Sequence, residues 1–210
     1  AAAFQWHNYG NTTIGAKSDI EKVPNEKLLA FYETYYQPDN AMLIVAGQFD
    51  EQKTLKVIAD LFGKFPKPKR AVSIATYTDE PTHDGEATVT IRRVGGTPFV
   101  MAGYHVPAAS DPDAPAVDML EKLMGESPSG RLYKELVEAK KAAKIGCTSY
   151  TLKEPGYFLC HAQLNEKDPS GPARDGLVSV MEGFAKKPPA KEEVDRAKVS
   201  MLKQVELLLN

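Results

Sequence analysis

Apolar residues recur at helical spacing from Asn25 onward, at Leu28, Leu29, Phe31, Tyr32, Tyr35 and Tyr36, and predict a helix with Pro24 in its first turn. Pro38-Asp39-Asn40 removes a donor and supplies turn-forming side chains, so that helix stops there. The run Met42 to Ala46 is apolar on both faces and reads as an interior strand. Asp50 can accept orphan amides at the start of a second helix, which carries Leu55, Ile58, Leu61 and Phe62 and meets Gly63 as a left-handed terminator. Ahead of all this, residues 4–22 are polar and irregular, a surface segment leading into a helix.

The pattern breaks between residues 64 and 85, where Pro66, Pro68, Pro81 and Gly85 fall at no helical spacing. A boundary is expected there, dividing the chain into residues 1–77 and 78–210. Past it, Ala87, Val89 and Ile91 alternate with Thr88, Thr90 and Arg92 as in a half-buried strand, and the more apolar residues 99–106 suggest a central one. Asp111-Pro112-Asp113 opens a helix bearing Val117, Leu120, Leu123 and Met124, closed by Gly125. Leu132, Tyr133, Leu136 and Val137 mark another helical face after the turn Ser127-Pro128-Ser129-Gly130. Residues 145–152 and 157–164 form a hairpin around Lys153-Glu154-Pro155-Gly156. A helix around Leu177, Val180, Met181 and Phe184, the break Pro188-Pro189 and a last helix with Val194, Ala197, Met201, Val205, Leu208 and Leu209 follow. Strand pairs followed by helix pairs give an α+β fold with antiparallel sheets flanked by helices.

Composition narrows the function classes. With 26 Lys and Arg against 28 Asp and Glu, the net charge of -2 offers no electrostatic footprint for nucleic acid. No apolar run approaches the ~20 residues of a membrane-spanning helix. The opening Ala1-Ala2-Ala3-Phe4 shows neither an initiator Met nor an export signal, and helical spacing persists to Asn210, so a piece of a longer chain is expected. Cys147 and Cys160 fall nearly opposite one another across the hairpin; two reduced, buried thiols and a disulfide both remain open. A disulfide would lean toward an oxidising compartment such as the bacterial periplasm.

Candidate chemistry is sparse. His83-Asp84-Gly85-Glu86-Ala87 begins like the inverted zinc motif His-x-x-Glu-His, but Ala87 stands where the second His is needed and Gly85 sits among helix breakers, so it reads as a loop. His7, His105 and His161 are isolated, the last two among alternating strand residues. Gly47 alone does not make a phosphate turn, and no Gly-x-Ser-x-Gly elbow occurs. The basic run Lys64 to Arg70 reads as a solvated linker.

Two blocks carry a resemblance. The stretch Tyr35 to Asp50, with Tyr36, Pro38, Asn40 and Gly47, read together with His7-Asn8-Tyr9-Gly10 and Ile14-Gly15, resembles the pitrilysin or insulinase family of zinc metallopeptidases, which includes the mitochondrial processing peptidases. Ser127-Pro128-Ser129-Gly130-Arg131-Leu132-Tyr133 resembles that family's Ser-Arg-Leu-aromatic helix through Ser129, Arg131 and Leu132. The resemblance implies homologous α+β lobes that close around a peptide, with zinc held in the first lobe by residues that this sequence does not contain. It also implies an Arg and, seven residues on, a Tyr that donate to the developing oxyanion. In this sequence those positions are Val137 and Lys144. The expectation is therefore a piece of a zinc-dependent metalloendopeptidase with no catalytic residue and no metal ligand of its own. Residues 1–77 would end a first lobe, and residues 78–210 would form most of a second, non-zinc lobe. Zinc is expected only in the parent chain, and the expected partners are its peptide substrate and another lobe or subunit. The alternative is a non-catalytic homologue acting as a partner subunit or assembly core.

Overall fold

A computed structural model describes residues 2–68 and 79–209. The chain forms two compact units, one of residues Trp6–Pro81 and one of Ala1–Gln5 with Thr82–Asn210. The boundary expected between residues 77 and 78 lies outside the described residues, as do Lys69 and Arg70 of the basic run.

The leading unit, Trp6–Pro81, is helical. It holds α1 (Lys17–Lys22), α2 (Asn25–Tyr35) and α3 (Glu51–Phe62). Local chemistry sets their ends as the residues foretell. A 3-10 turn at Pro38–Asn40 follows α2, and the Asn40 amide nitrogen donates to the Tyr35 carbonyl at 2.8 Å. The Asp50 carboxylate accepts the Lys53 N–H at 2.9 Å, which satisfies one orphan donor of α3. Glu80 accepts the N–H groups of both Trp6 and His7, at 3.0 and 2.9 Å, and so ties the two ends of the unit together.

Two expectations fail in this unit. Residues 42–46 form no strand, and Met42 and Ile44 are 85% and 77% exposed. A strand exists only when its backbone N–H and C=O groups are paired, and none of the described residues of this unit supplies a pairing strand. Gly63 ends α3 with φ -62°, a right-handed conformation, its N–H bonded to the Ala59 carbonyl, so no left-handed cap forms.

The sheet unit contains β1 (Phe99–Val106), α4 (Ala114–Gly125), a π-helical segment (Tyr133–Glu138), β2 (Lys144–Tyr150), β3 (Gly156–Gln163), α5 (Ser170–Gly183) and α6 (Lys191–Leu209). The three strands make an antiparallel sheet in the order β1-β3-β2. Helices beside an antiparallel sheet confirm the α+β class. β3 is the centre, and its strict alternation shows it: Gly156, Phe158, Cys160 and Ala162 are buried while their neighbours are half-exposed. The buried side joins Leu132, Leu136, Leu164, Ala173 and Leu177 in one core, each 1% exposed or less. Val100, Ala102 and Val106 of β1 pack against its rim.

Residues 99–106 are expected to be central, and among the described residues they are instead an edge, paired to β3 alone. Its apolar run does not mark two covered faces, because Phe99 and Met101 are 50% and 53% exposed while Val100 and Ala102 pack on the core. The alternating residues 87–91 form no strand either, and Val89 and Ile91 are 66% and 73% exposed. At the start of α4, Asp113 makes no side-chain cap; Asp111 accepts the Asp113 N–H at 2.9 Å instead.

Candidate functional site

The residues that could carry chemistry are spread over the sheet unit and serve, one after another, to hold it together. Val137 lies next to the end of the π-helical segment with its side chain packed against the core, and Lys144 begins β2, exposed and opposite Gln163. An aliphatic side chain fixed in a core offers no donor, and the ammonium of Lys144 supplies charge without a phenol. The oxyanion pair implied by the resemblance is absent from these two positions.

Arg131 is a heavily engaged polar side chain. Its guanidinium meets Glu193 twice, from Nε at 3.1 Å and Nη2 at 2.9 Å, and donates to the carbonyls of Lys187 at 2.6 Å and Pro188 at 3.1 Å. It also lies 4.7 Å from the centroid of Phe184. A planar fork with five donors is the group that can saturate such an arrangement. Glu193 in turn accepts the Ala190 N–H at 2.9 Å, capping the start of α6. The hydrogen bond from Arg131, then that from Ala190, holds the Glu193 carboxyl down at about 2. The network therefore latches the segment after Gly130 to the joint between α5 and α6, which assigns Arg131 a structural task.

The other family-like positions are structural as well. Tyr36 stacks on Tyr32 at 4.8 Å, Pro38 opens the 3-10 turn, and Asn40 closes α2. Gly47 has φ +129°, a conformation that side-chain-bearing residues rarely adopt. Ser129 donates to Glu126 at 3.5 Å, and Leu132 is fully buried. Glu126 also accepts from Ser200 of α6 at 2.5 Å.

Cys147 and Cys160 face each other directly in the β2–β3 register and are bonded, with an S–S distance of 2.00 Å. Gly125, the last residue of α4, lies against this pair: a Cβ there would fall 2.8 Å from both the Cys147 Cβ and its backbone nitrogen. Only glycine admits that approach.

The histidines do not converge on a ligand set. His83 and His105 have ring centroids 4.7 Å apart, and the His105 Nε2 lies 2.5 Å from the Ala3 carbonyl, with Phe4 stacked on the ring at 4.7 Å. His161 stacks on Phe99 at 5.0 Å; burial and then the charge of Lys144 lower its pKa. Among the described residues, no three His, Cys, Asp or Glu side chains are grouped to hold a metal ion. The donors present do not fit zinc, so no step is assigned to a metal here. Among the described residues, no helix is long and apolar enough to cross a membrane.

Sequence reasoning missed Glu193, Glu126 and Glu182, the last of which accepts from Tyr104 at 2.5 Å. Each is paired with a residue more than sixty positions away, except for the local contact of Glu126 with Ser129, and no local pattern signals such pairs.

Comparison with known proteins agrees with this picture. The peptidase M16 inactive domain family matches residues 22–201. Zinc protease PqqE of Helicobacter pylori is 29% identical over 200 residues, 94% of this chain and 45% of that protein. The crystal structure of a protease from Helicobacter pylori superposes with a TM-score of 0.86 at 29% identity, over 96% of this chain and 49% of that one. The inactive peptidase domain of a zinc protease from Bordetella parapertussis is 35% identical with a TM-score of 0.50, covering 57% of this chain and 65% of that one. The chain thus spans about half the length of the Helicobacter protein. A match running through both units, on a fold whose Arg131 and Leu132 positions are structural, leads to one conclusion: the chain belongs to the peptidase M16 inactive domain family, of the pitrilysin type.

Proposed function

We propose that this chain serves as a non-catalytic lobe of a zinc-dependent metalloendopeptidase, a scaffold and a wall of the chamber in which another lobe cleaves peptides. The observation that carries the reading is the occupancy of the two oxyanion positions by a core-packed Val137 and an exposed Lys144. The naming of a similar protein as a zinc protease supports zinc in the parent, bound outside these residues. In that arrangement metal-activated water would perform the hydrolysis. The chain's own residues would contribute a rigid surface and no proton transfer. Peptide substrate, a companion lobe or subunit and, from the bonded cysteines, a periplasmic setting complete the reading.

A second reading, a homologue that acts only as a partner subunit or assembly core, draws on the same two positions. Elemental analysis and a quenched fluorogenic peptide library test the first part of the proposal on the purified chain. The expected result is less than stoichiometric zinc and no hydrolysis. Stoichiometric zinc with chelator-sensitive cleavage would overturn it. The same assays on the protein purified from its source separate the readings: zinc-dependent hydrolysis favours the peptidase lobe, and inert protein favours the assembly core.

A further inference from the structure

The face of the sheet that turns away from the core carries a socket with an aromatic ring in it. We propose that this socket is a binding site for an aromatic side chain of a peptide, and that Phe4 fills it as a competitor supplied by the chain itself.

The residues that form the socket follow from the register, because directly paired residues of an antiparallel sheet share a face. The row Ala102–Cys160–Cys147 stands on the core side. The rows Met101–His161–Gly146, Gly103–Leu159–Thr148 and His105–Tyr157–Tyr150 therefore turn the other way. In the last of these, Tyr150 stacks on Tyr157 with ring centroids 4.6 Å apart, and His83 meets His105 edge-on at 4.7 Å. Phe4 lies over the row, stacked on His105 at 4.7 Å and edge-on to Tyr157 at 6.0 Å.

Enclosure distinguishes this socket from the rest of the face. Phe4 is 5% exposed, whereas Phe99, stacked on His161 at 5.0 Å on the same face, stays 50% exposed. A single stacking partner leaves half of an aromatic surface in water, and the socket removes nearly all of it. Phe4 also stands outside the core built around Leu136 and Phe158, so its enclosure is a separate feature of the fold.

A polar contact fixes the backbone of the occupant. The His105 Nε2 lies 2.5 Å from the Ala3 carbonyl. A carbonyl can only accept, so Nε2 carries the proton and donates it. A donor for the carbonyl of one residue, beside an aromatic slot for the side chain of the next, recognises two consecutive residues of a peptide. The ligand class is thus a peptide in which an aromatic residue follows one that offers its carbonyl.

Phe4 is well placed to compete. Glu80 accepts the Trp6 and His7 N–H groups at 3.0 and 2.9 Å, and the chain returns through Pro81 and Thr82 to His83 beside the socket. A handful of residues therefore tethers Phe4 to its own site, which raises its effective concentration there. That the natural ligand is a peptide rests on the reading of this chain as a chamber wall.

Titration of the purified chain with the peptides acetyl-Ala-Phe-Gln-amide and acetyl-Ala-Ala-Gln-amide, followed by NMR at His105 and Tyr157, tests the site. Phe4→Ala should bind the phenylalanine peptide at least roughly tenfold more tightly than the alanine peptide, the ratio that burial of the ring supplies. The wild type and Phe4→Tyr, which keeps an aromatic ring in the slot, should bind it about tenfold more weakly than Phe4→Ala does, as for a socket that its own residue fills about nine-tenths of the time. Protection of the β2–β3 amides certifies that each variant is folded. Equal binding of the two peptides by Phe4→Ala would overturn the site, as would wild type binding as tightly as Phe4→Ala. Loss of β2–β3 protection in Phe4→Ala would overturn it too, by making Phe4 a part of the fold. The measurement needs neither zinc nor hydrolysis, so failure of the socket and failure of the chamber-wall reading are seen separately.

Discussion

The two units of this chain differ in where their apolar residues go. In the sheet unit, strand alternation and helix faces converge on one core in which Leu132, Leu136, Phe158, Cys160, Ala162 and Leu177 are 2% exposed or less. In the leading unit, helices with equally good patterns have no such outlet. Among the described residues of Trp6–Pro81 none is buried, and Leu29, Phe31, Leu43 and Leu61 are each more than half exposed. Amphipathic pattern is thus necessary for a core but does not create one; it needs a second apolar layer to face. Chain stability should reside almost wholly in the sheet unit, since isolated helices of about a dozen residues are marginal in water.

Four changes would break or sharpen this contrast. Phe158→Ala removes the largest fully enclosed side chain and should cost about 4 kcal/mol in denaturant unfolding of the sheet unit, while leaving the helical signal of the leading unit in place. Reduction of the Cys147–Cys160 bond, whose cysteines are 13 residues apart, should lower stability by about 3 kcal/mol, again in the sheet unit alone.

Arg131→Ala removes the guanidinium from Glu193 and from two carbonyls and should cost about 2 kcal/mol at neutral pH. Its pH signature is specific. The folded pKa of Glu193 lies at about 2, below that of an unfolded glutamate at roughly 4.3, so the pair's contribution is fully present above that unfolded value. It is lost as pH falls from there toward 2, and the variant should lose that part of the acid dependence in a pH series of thermal melts. Leu43→Ala, at a position 57% exposed, should change stability by less than about 0.5 kcal/mol. A cost of several kcal/mol there would mean that the leading unit has a core after all.

Sequence pattern made most helices legible, because caps and breakers act locally: Asp50 caps α3, Asn40 closes α2 and the hairpin pairs Cys147 with Cys160 in register. It misjudged three strand segments, at 42–46, 87–91 and 99–106, for one physical reason. A helix satisfies its own hydrogen bonds, whereas a strand depends on whichever partner is present, and apolar periodicity carries no information about that partner. The candidate site followed the same rule. Val137 and Lys144 could be named through the family resemblance alone, and the Arg131–Glu193 latch, spanning sixty-two residues, could not be named at all.

Site-resolved amide hydrogen exchange across the whole purified chain tests the central claim most directly. The account predicts that amides of β2, β3 and the adjoining core helices exchange only through global unfolding of the sheet unit, and that those of α2 and α3 exchange orders of magnitude faster. Equal protection in α2, α3 and β3 would contradict it.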